Sequence, residues 1–225
     1  MSGLSGRISM ILLAIVLGVS IHMAAGGAKA AAPAIPAATT DDQLAKTKGK
    51  ETAVFAGGCF WGIQSVFSHV KGVNSAISGY SGGTLKNPEY EQVSTGTTGH
   101  AESVKVTYDP SKITYGQLLR IFFSVAHDPT QLNRQGPDQG TQYRSVIFYS
   151  NDDQKRIADA YIAQLDAAKV YPNQIVTQVV PFAAFYEAEG YHQDYAEKHP
   201  DDLYIVYNDA PKVANLKQQF PELYK

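Results

Sequence analysis

A short apolar run passes directly into a helical pattern near residue 58 of this 225-residue chain. The segment 51–58, "ETAVFAGG", has the composition of a strand and ends in two glycines, which are typical of a tight turn. In the next segment, 59–70, apolar residues recur every three or four positions, as they do on one face of a helix. The sequence therefore predicts a strand–turn–helix unit with Cys59, the only cysteine, in the first helical turn.

The same alternation continues along the chain. Further strands are predicted at 73–80, 101–109, 143–150 and 173–181, and further helices at 114–127 and 151–169, capped by Thr114 and Ser150. Two long polar loops, 81–100 and 128–142, separate them, and long loops in compact domains are usually functional. The order β-α-β-β-α-β followed by α-β favours an α+β fold: a ferredoxin-like two-layer α/β sandwich with a mixed sheet, extra helices and long active-site loops.

The first thirty residues have the pattern of a secretory signal peptide. Arg7 precedes an apolar run at 8–25, and Ala28-Lys29-Ala30 forms a small-x-small cleavage site, so cleavage after Ala30 is expected. The alternative is an uncleaved anchor helix, because the apolar run approaches the length that spans a membrane. Residues 1–30 are thus assigned to the signal peptide, 31–50 to an Ala/Pro-rich linker, and 51–225 to the functional domain. The expected location is the periplasm or the exterior, or the membrane if the segment is retained.

Charge and cysteine content narrow the possible functions. The net charge of -2 has no basic excess that would attract nucleic acid. An exported protein with one cysteine has no internal disulfide, so Cys59 is either an inert core residue or a free reactive thiol. The histidines lack metal-ligand spacing, and one cysteine cannot build a thiolate metal site. Unpaired N–H groups at a helix start favour a thiolate, which supports the reactive alternative.

Four ordered blocks of sequence carry a resemblance to a known family. "GCFWG" at 58–62 is followed by "GYSGG…NPEYEQVSTGTTGHAE" within 79–102, "HDPTQLNRQGPDQGTQYRS" at 127–145 and "FYEAEGYHQDY" at 185–195. In this order and at these distances they resemble the class A peptide methionine sulfoxide reductases. The similarity runs from about Thr52 to the end of the chain. It implies reduction of the S epimer of methionine sulfoxide, free or in proteins, and repair of oxidised proteins.

The resemblance assigns roles to five catalytic residues. Cys59 is implied to attack the sulfoxide sulfur, and Glu102 to protonate the departing oxygen, which requires an acid kept neutral by an apolar site. Tyr90 and Tyr143 match residues that hydrogen-bond the sulfoxide oxygen. Asp138 matches an aspartate near the thiol that acts through water or by orienting a donor.

The resemblance also assigns substrate contacts. Phe60 and Trp61 match the wall that accepts the ε-methyl group of the substrate. Gly58 is expected to keep the turn open around the ligand, and His192 lies within a family block. No metal site and no prosthetic cofactor are implied.

Many members of that family carry further cysteines that resolve the oxidised enzyme, but this chain has none. It resembles the single-cysteine branch, in which a sulfenic acid on Cys59 must be reduced by an external thiol. The implied reductant is a thioredoxin-like protein, a glutaredoxin-like protein or a small thiol such as dithiothreitol. Nucleic acid and, after signal cleavage, the membrane are not expected as partners, and the chain is expected to be a monomer.

Two other functions remain open at this point. Cys59, His100 and Asp138 supply the residue types of a cysteine-nucleophile hydrolase or acyl transferase. A secreted binding domain with an inert pair of Cys59 and Trp61 in its core is the second alternative.

Overall fold

The computed structural model describes residues 35–225. The strands are β1 (Glu51–Gly57), β2 (Val73–Ser81), β3 (Ala101–Tyr108), β4 (Arg134–Gln135), β5 (Asp138–Gln139), β6 (Ser145–Tyr149), β7 (Gln178–Pro181) and β8 (Phe185–Glu187). The helices are α1 (Phe60–Ser68), α2 (Tyr90–Ser94), α3 (Tyr115–Ile121), α4 (Asp152–Ala167), α5 (Tyr195–Lys198) and α6 (Ala210–Gln219). A 3-10 turn covers Thr141–Tyr143, and π-helical turns at Phe122–Ala126 and Ile205–Asp209 adjoin α3 and α6.

Six of the strands form one mixed sheet in the order β7-β6-β1-β3-β2-β8, and β4 pairs with β5 in a separate small hairpin. Only the β6–β7 pair in this sheet is parallel. The predicted α+β class with a mixed sheet is confirmed. β1 and β3 lie at the centre, so the residues at and just beyond their ends are held by neighbours on both sides.

The two faces of the sheet bury different amounts of apolar surface. Along β1, Ala53 and Phe55 enter the main core beneath the helices, while Val54 and Ala56 belong to a smaller cluster on the opposite face. Phe55 stacks on Phe67 of α1 at a centroid distance of 5.4 Å, so the central strand and the helix after it share one core. This packing fixes the direction in which α1 leaves the sheet.

The two predicted helix caps have different outcomes. Thr114 caps α3 as predicted, because its hydroxyl accepts the Gln117 N–H at 3.1 Å. The prediction of Ser150 as the cap of α4 is wrong by one position. Asn151 takes that role, since its side chain accepts the Gln154 N–H at 2.8 Å.

The described part of the segment assigned to a linker, residues 35–50, has no helix or strand and lies against the domain. Ile35 is buried, and the carbonyl of Pro36 accepts a hydrogen bond from the Tyr161 hydroxyl at 2.7 Å. Asp41 accepts the Gly116 N–H at 2.8 Å in the first turn of α3. These contacts make residues 35–50 a strap over α3 and α4.

The signal-peptide prediction for 1–30 lies outside the described residues. Within residues 35–225, no helix has the length and apolar character needed to cross a membrane.

Replacing Asp41 with alanine should destabilise the protein by about 1–2 kcal/mol, because the Gly116 N–H and the Thr114 hydroxyl would lose their acceptor. Urea unfolding measures the change. Asp42→Ala is the matched control, since the Asp42 carboxylate is half exposed and lies 3.7 Å from an exposed arginine. Equal stability of both variants would show that the hydrogen bonds of Asp41 contribute nothing to stability.

Candidate active site

The turn between β1 and α1 depends on Gly58. Its φ of +104° is a conformation that side chains disfavour, and a Cβ there would lie 2.4 Å from Cγ of Gln135. The turn delivers Cys59 to the N-cap position of α1. Gly58 itself does not line the adjacent pocket, so it acts by shaping the backbone.

A pocket of about 210 Å³ opens above this turn. Nine residues were given catalytic or substrate-contact roles from the sequence, and seven of them line this pocket. Tyr204, which the sequence analysis missed, also lines it. The lining residues are Cys59, Phe60, Trp61, Tyr90, Glu102, Asp138, Tyr143 and Tyr204. The start of α1, α2, β3, β5, the 3-10 turn and the segment before α6 therefore all contribute residues to one cavity. Gly58 and His192 lie outside its lining.

Cys59 is 8% exposed and faces opposing influences on its pKa. Burial, followed by the carboxyls of Glu102 and Asp209, raises the pKa of the thiol, while a hydrogen bond from the Trp61 backbone N–H and the nearby Lys212 lower it. The raising effects dominate, and the pKa lies well above its usual value. The helix start therefore acts in the expected direction, since the Trp61 N–H lowers the pKa of Cys59, but burial and the two carboxyls outweigh it in the free site.

Glu102 is a buried acid next to the thiol. It lies on β3 opposite Tyr80 of β2, and its Oε2 accepts the Phe60 N–H at 3.0 Å. Burial raises the pKa of Glu102 to about 8, so the carboxyl is mostly protonated at neutral pH. Because Oε2 is occupied as an acceptor, Oε1 is the oxygen that can carry the proton.

Two phenols line the same cavity. Burial raises the pKa values of Tyr90 and Tyr143, and the nearby Glu102 adds to both shifts, so both hydroxyls remain protonated donors. Tyr90 begins α2, where its backbone N–H donates to Glu189 at 2.8 Å. The long loop after β2 is thereby tied down where it enters the pocket.

Asp138 receives a hydrogen bond that the sequence did not reveal. The Tyr204 hydroxyl donates to its Oδ2, so Asp138 is held by the segment just before α6. Burial raises the pKa of Asp138, although the Tyr204 hydrogen bond and Lys212 act against the shift. Tyr204 is one of 14 tyrosines and lies in no recognisable motif, so nothing in the sequence distinguished it.

Trp61 is held in place from outside the pocket. Its indole N–H donates to Nδ1 of His192 at 3.2 Å, and its ring stacks on Tyr195 at a centroid distance of 3.8 Å. His192 is buried against the rings of Phe60 and Tyr90, and burial lowers its pKa, which keeps the imidazole neutral as an acceptor. His192 therefore orients the aromatic wall and does not line the cavity.

Residues 51–224 match the family described as Peptide methionine sulfoxide reductase. The chain belongs to the class A peptide methionine sulfoxide reductases. It is similar to Peptide methionine sulfoxide reductase MsrA 2 of Mesorhizobium japonicum, with 66% identity over 176 residues, which cover 78% of this chain and 90% of the relative. A relative of the same name from Synechocystis is 51% identical over 178 residues, covering 79% and 83% of the two chains.

Two solved structures share the fold. One is reduced Mxr1 from Saccharomyces cerevisiae, with 34% identity and a TM-score of 0.60, covering 71% of this chain and 94% of the other. The second is methionine sulfoxide reductase A of Corynebacterium diphtheriae, with 37% identity and a TM-score of 0.59, covering 69% and 77%. This chain is thus an oxidoreductase that converts methionine S-sulfoxide to methionine and acts in protein repair.

The geometry of this reductase also separates it from the hydrolase alternative. His100 is buried away from the pocket lining, where its Nδ1 accepts the Gly83 N–H at 3.1 Å and its Nε2 lies 2.8 Å from the Leu85 carbonyl. Both ring nitrogens brace the loop after β2, so His100 is not available to activate Cys59. Within residues 35–225, no group of three or more His, Cys, Asp and Glu side chains is arranged to hold a metal ion.

Proposed function

We propose that Cys59 is the nucleophile and Glu102 the general acid of the methionine sulfoxide reductase reaction. One observation carries this assignment: the only thiol of the chain and a carboxyl with a pKa of about 8 line the same pocket. The Glu102 carboxyl accepts the backbone N–H of Phe60, the residue that directly follows Cys59.

The free site holds the two protons that the reaction needs, one on the Cys59 thiol and one on the Glu102 carboxyl. The Cys59 sulfur attacks the sulfoxide sulfur, and Glu102 gives its proton to the sulfoxide oxygen, which leaves as hydroxide as the sulfur–oxygen bond breaks. The hydroxide then attacks the Cys59 sulfur of the sulfur–sulfur adduct, and the sulfur–sulfur bond breaks with its electron pair going to methionine. The thiol proton released from Cys59 replaces the one that Glu102 lost. Overall, Cys59–SH and a sulfoxide become Cys59–SOH and methionine, with no net uptake of protons.

The remaining lining residues complete the site. Tyr90 and Tyr143 supply neutral hydroxyl donors for the sulfoxide oxygen, where negative charge develops in the transition state. Phe60 and Trp61 form the apolar wall for the ε-methyl group. With donors on one side and the aromatic wall on another, only one face of the chiral sulfur meets Cys59, which accounts for the preference for the S epimer.

The electrons come from an external thiol. A first thiol condenses with Cys59–SOH to give a mixed disulfide and water, and a second thiol then releases Cys59–SH and leaves with the first as a disulfide. A thioredoxin-like or glutaredoxin-like protein fits this role in the cell, and dithiothreitol replaces it in an assay. The support is the single cysteine, which has no partner within the chain.

Reduced enzyme mixed with excess methionine sulfoxide and no added thiol should yield one methionine per enzyme and then stop. The product should be a Cys59 sulfenic acid, detected as a mass gain of one oxygen and by trapping with dimedone. Added dithiothreitol should restart turnover, and unreacted enzyme is the control. More than one methionine per enzyme without thiol, or stalled enzyme that lacks the added oxygen, would contradict the scheme.

We further propose that the enzyme is exported and acts in the periplasm or outside the cell. The support is the pattern of residues 1–30, with Arg7, the apolar run and the small residues at 28 and 30. The mature chain recovered from the producing cell should begin at Ala31, as measured by intact mass. A full-length chain in the membrane fraction would favour the uncleaved anchor, and one in the cytosol would refute export.

A further inference from the structure

A buried ion pair from the C-terminal part of the chain lies behind the first turn of α1. Asp209 is completely buried, Lys212 is 16% exposed, and the distance from Oδ1 to Nζ is 3.0 Å. The second carboxylate oxygen of Asp209 is buried without a hydrogen-bond partner. Burying charges costs free energy that an imperfect pair does not recover, so stability alone gives little reason for this arrangement.

The pair is pressed against the turn that carries the reactive thiol. A Cβ at Gly62 would lie 2.1 Å from Oδ1 of Asp209 and 2.8 Å from Nζ of Lys212. Gly62 follows Cys59 by three residues, and residues at this spacing are neighbours on a helix surface. The missing side chain at Gly62 therefore lets both charges approach the part of α1 next to Cys59.

The surroundings of Cys59 are otherwise acidic or neutral. The titratable groups that face the thiol or share its pocket are Glu102, Asp138, Asp209, Lys212, Tyr90, Tyr143, Tyr195 and Tyr204. Lys212 is the only cation in this set. The pKa of the buried His127 is lowered to about 4, chiefly by burial, and Lys212 lowers it further. The His127 imidazole is therefore neutral and adds no charge near Cys59.

We propose that Asp209 and Lys212 are positioning residues that set the reactivity of Cys59 in opposite directions. The Lys212 ammonium stabilises the thiolate form, and the Asp209 carboxylate destabilises it. This rests on the proposed function in one respect, the role of Cys59 as the nucleophile.

In the recycling step Lys212 favours the departure of Cys59 and Asp209 opposes it. In the mixed disulfide between Cys59 and a reductant thiol, a second thiolate attacks the reductant sulfur, the bond to Cys59 breaks, and Cys59 departs as a thiolate. The two reductant thiols are oxidised to a disulfide while Cys59 gains the electron pair. A better stabilised thiolate leaves faster, so Lys212 assists a chain that lacks a resolving cysteine.

The test is the rate at which iodoacetamide alkylates Cys59 in the reduced protein as a function of pH. Lys212→Met should shift the profile to higher pH and slow alkylation at fixed pH by about tenfold, because the cation that favours the thiolate is lost. Asp209→Asn should shift the profile in the opposite direction. Lys155→Met is the matched control, since it removes the lysine of an exposed ion pair on α4, at 2.6 Å from Asp159, and should leave the profile unchanged.

Opposite shifts of the two pH profiles distinguish this role from a structural one, because a general loss of packing would shift both profiles in the same direction. Shifts in the same direction, or none, would overturn the proposal. If Asp209→Asn does not fold, Lys212→Met and Lys212→Arg decide: the profile must move in the first and stay in the second. Alkylation is measured without sulfoxide and therefore does not depend on catalysis. If the Cys59→Ser variant kept reductase activity, the catalytic assignment would be refuted, but the alkylation profiles of the Asp209 and Lys212 variants would still stand.

Discussion

Replacing Cys59 with serine should abolish sulfoxide reduction, with a loss of about a thousandfold or more in single-turnover rate. Serine fits the N-cap position of α1, where it is among the preferred residues, so the fold should be retained. Its hydroxyl is a far weaker nucleophile than a thiol at neutral pH and gives no sulfenic acid. Stopped-flow quantification of methionine from the S epimer measures the loss.

The control for this variant is its fold. Circular dichroism and urea unfolding of Cys59→Ser should match the unsubstituted enzyme, which excludes misfolding as the cause of the lost activity. Dimedone should label the oxidised wild type and give no adduct with the variant, since the chain has no second cysteine. A serine variant that keeps a tenth of the activity would remove Cys59 from the mechanism.

Local patterns were sufficient to predict the central elements of the fold. The apolar run before Cys59 forms β1, and the helical spacing after it forms α1, because both elements bury residues whose period is visible in the sequence. β8, α5 and the ten-residue α6 were not predicted; β8 and α5 have only three or four residues and show no clear period. The strap also escaped prediction, because its Ala/Pro-rich composition does not reveal that Asp41 meets the start of α3.

The site was predictable where motifs carry it and hidden where distant residues meet. Tyr204 and Asp138 are 66 positions apart, and their hydrogen bond follows only from the path of the chain after α5. Asp209 and Lys212 were missed for the same reason. The local argument from the helix start captured the Trp61 N–H, which lowers the pKa of Cys59, but not burial or the carboxyls of β3 and the C-terminal segment, which raise it.

Glu102→Gln should slow the chemical step by about two to four orders of magnitude, the usual scale of general acid catalysis. The glutamine oxygen can still accept the Phe60 N–H, which Oε2 of Glu102 accepts at 3.0 Å, and the amide N–H can still donate into the pocket. Only proton delivery is lost, so substrate affinity should change much less than rate. An unchanged single-turnover rate would mean that another group protonates the sulfoxide oxygen.

The same variant tests the protonation state of Glu102 without reference to catalysis. The pKa is raised from 4.5 to about 8 in the folded protein, chiefly by burial, so the folded state holds this proton more tightly than the unfolded state. The stability that the neutral acid contributes is complete below pH 4.5 and is lost as pH rises through about 8.

Because glutamine does not titrate, Glu102→Gln should gain free energy of unfolding relative to wild type across this interval and keep a constant difference outside it. Urea unfolding at several pH values measures the gain, with Glu91→Gln as the exposed control. A difference independent of pH would show that Glu102 is already ionised in the folded protein at neutral pH, and an ionised carboxylate has no proton to give to the sulfoxide.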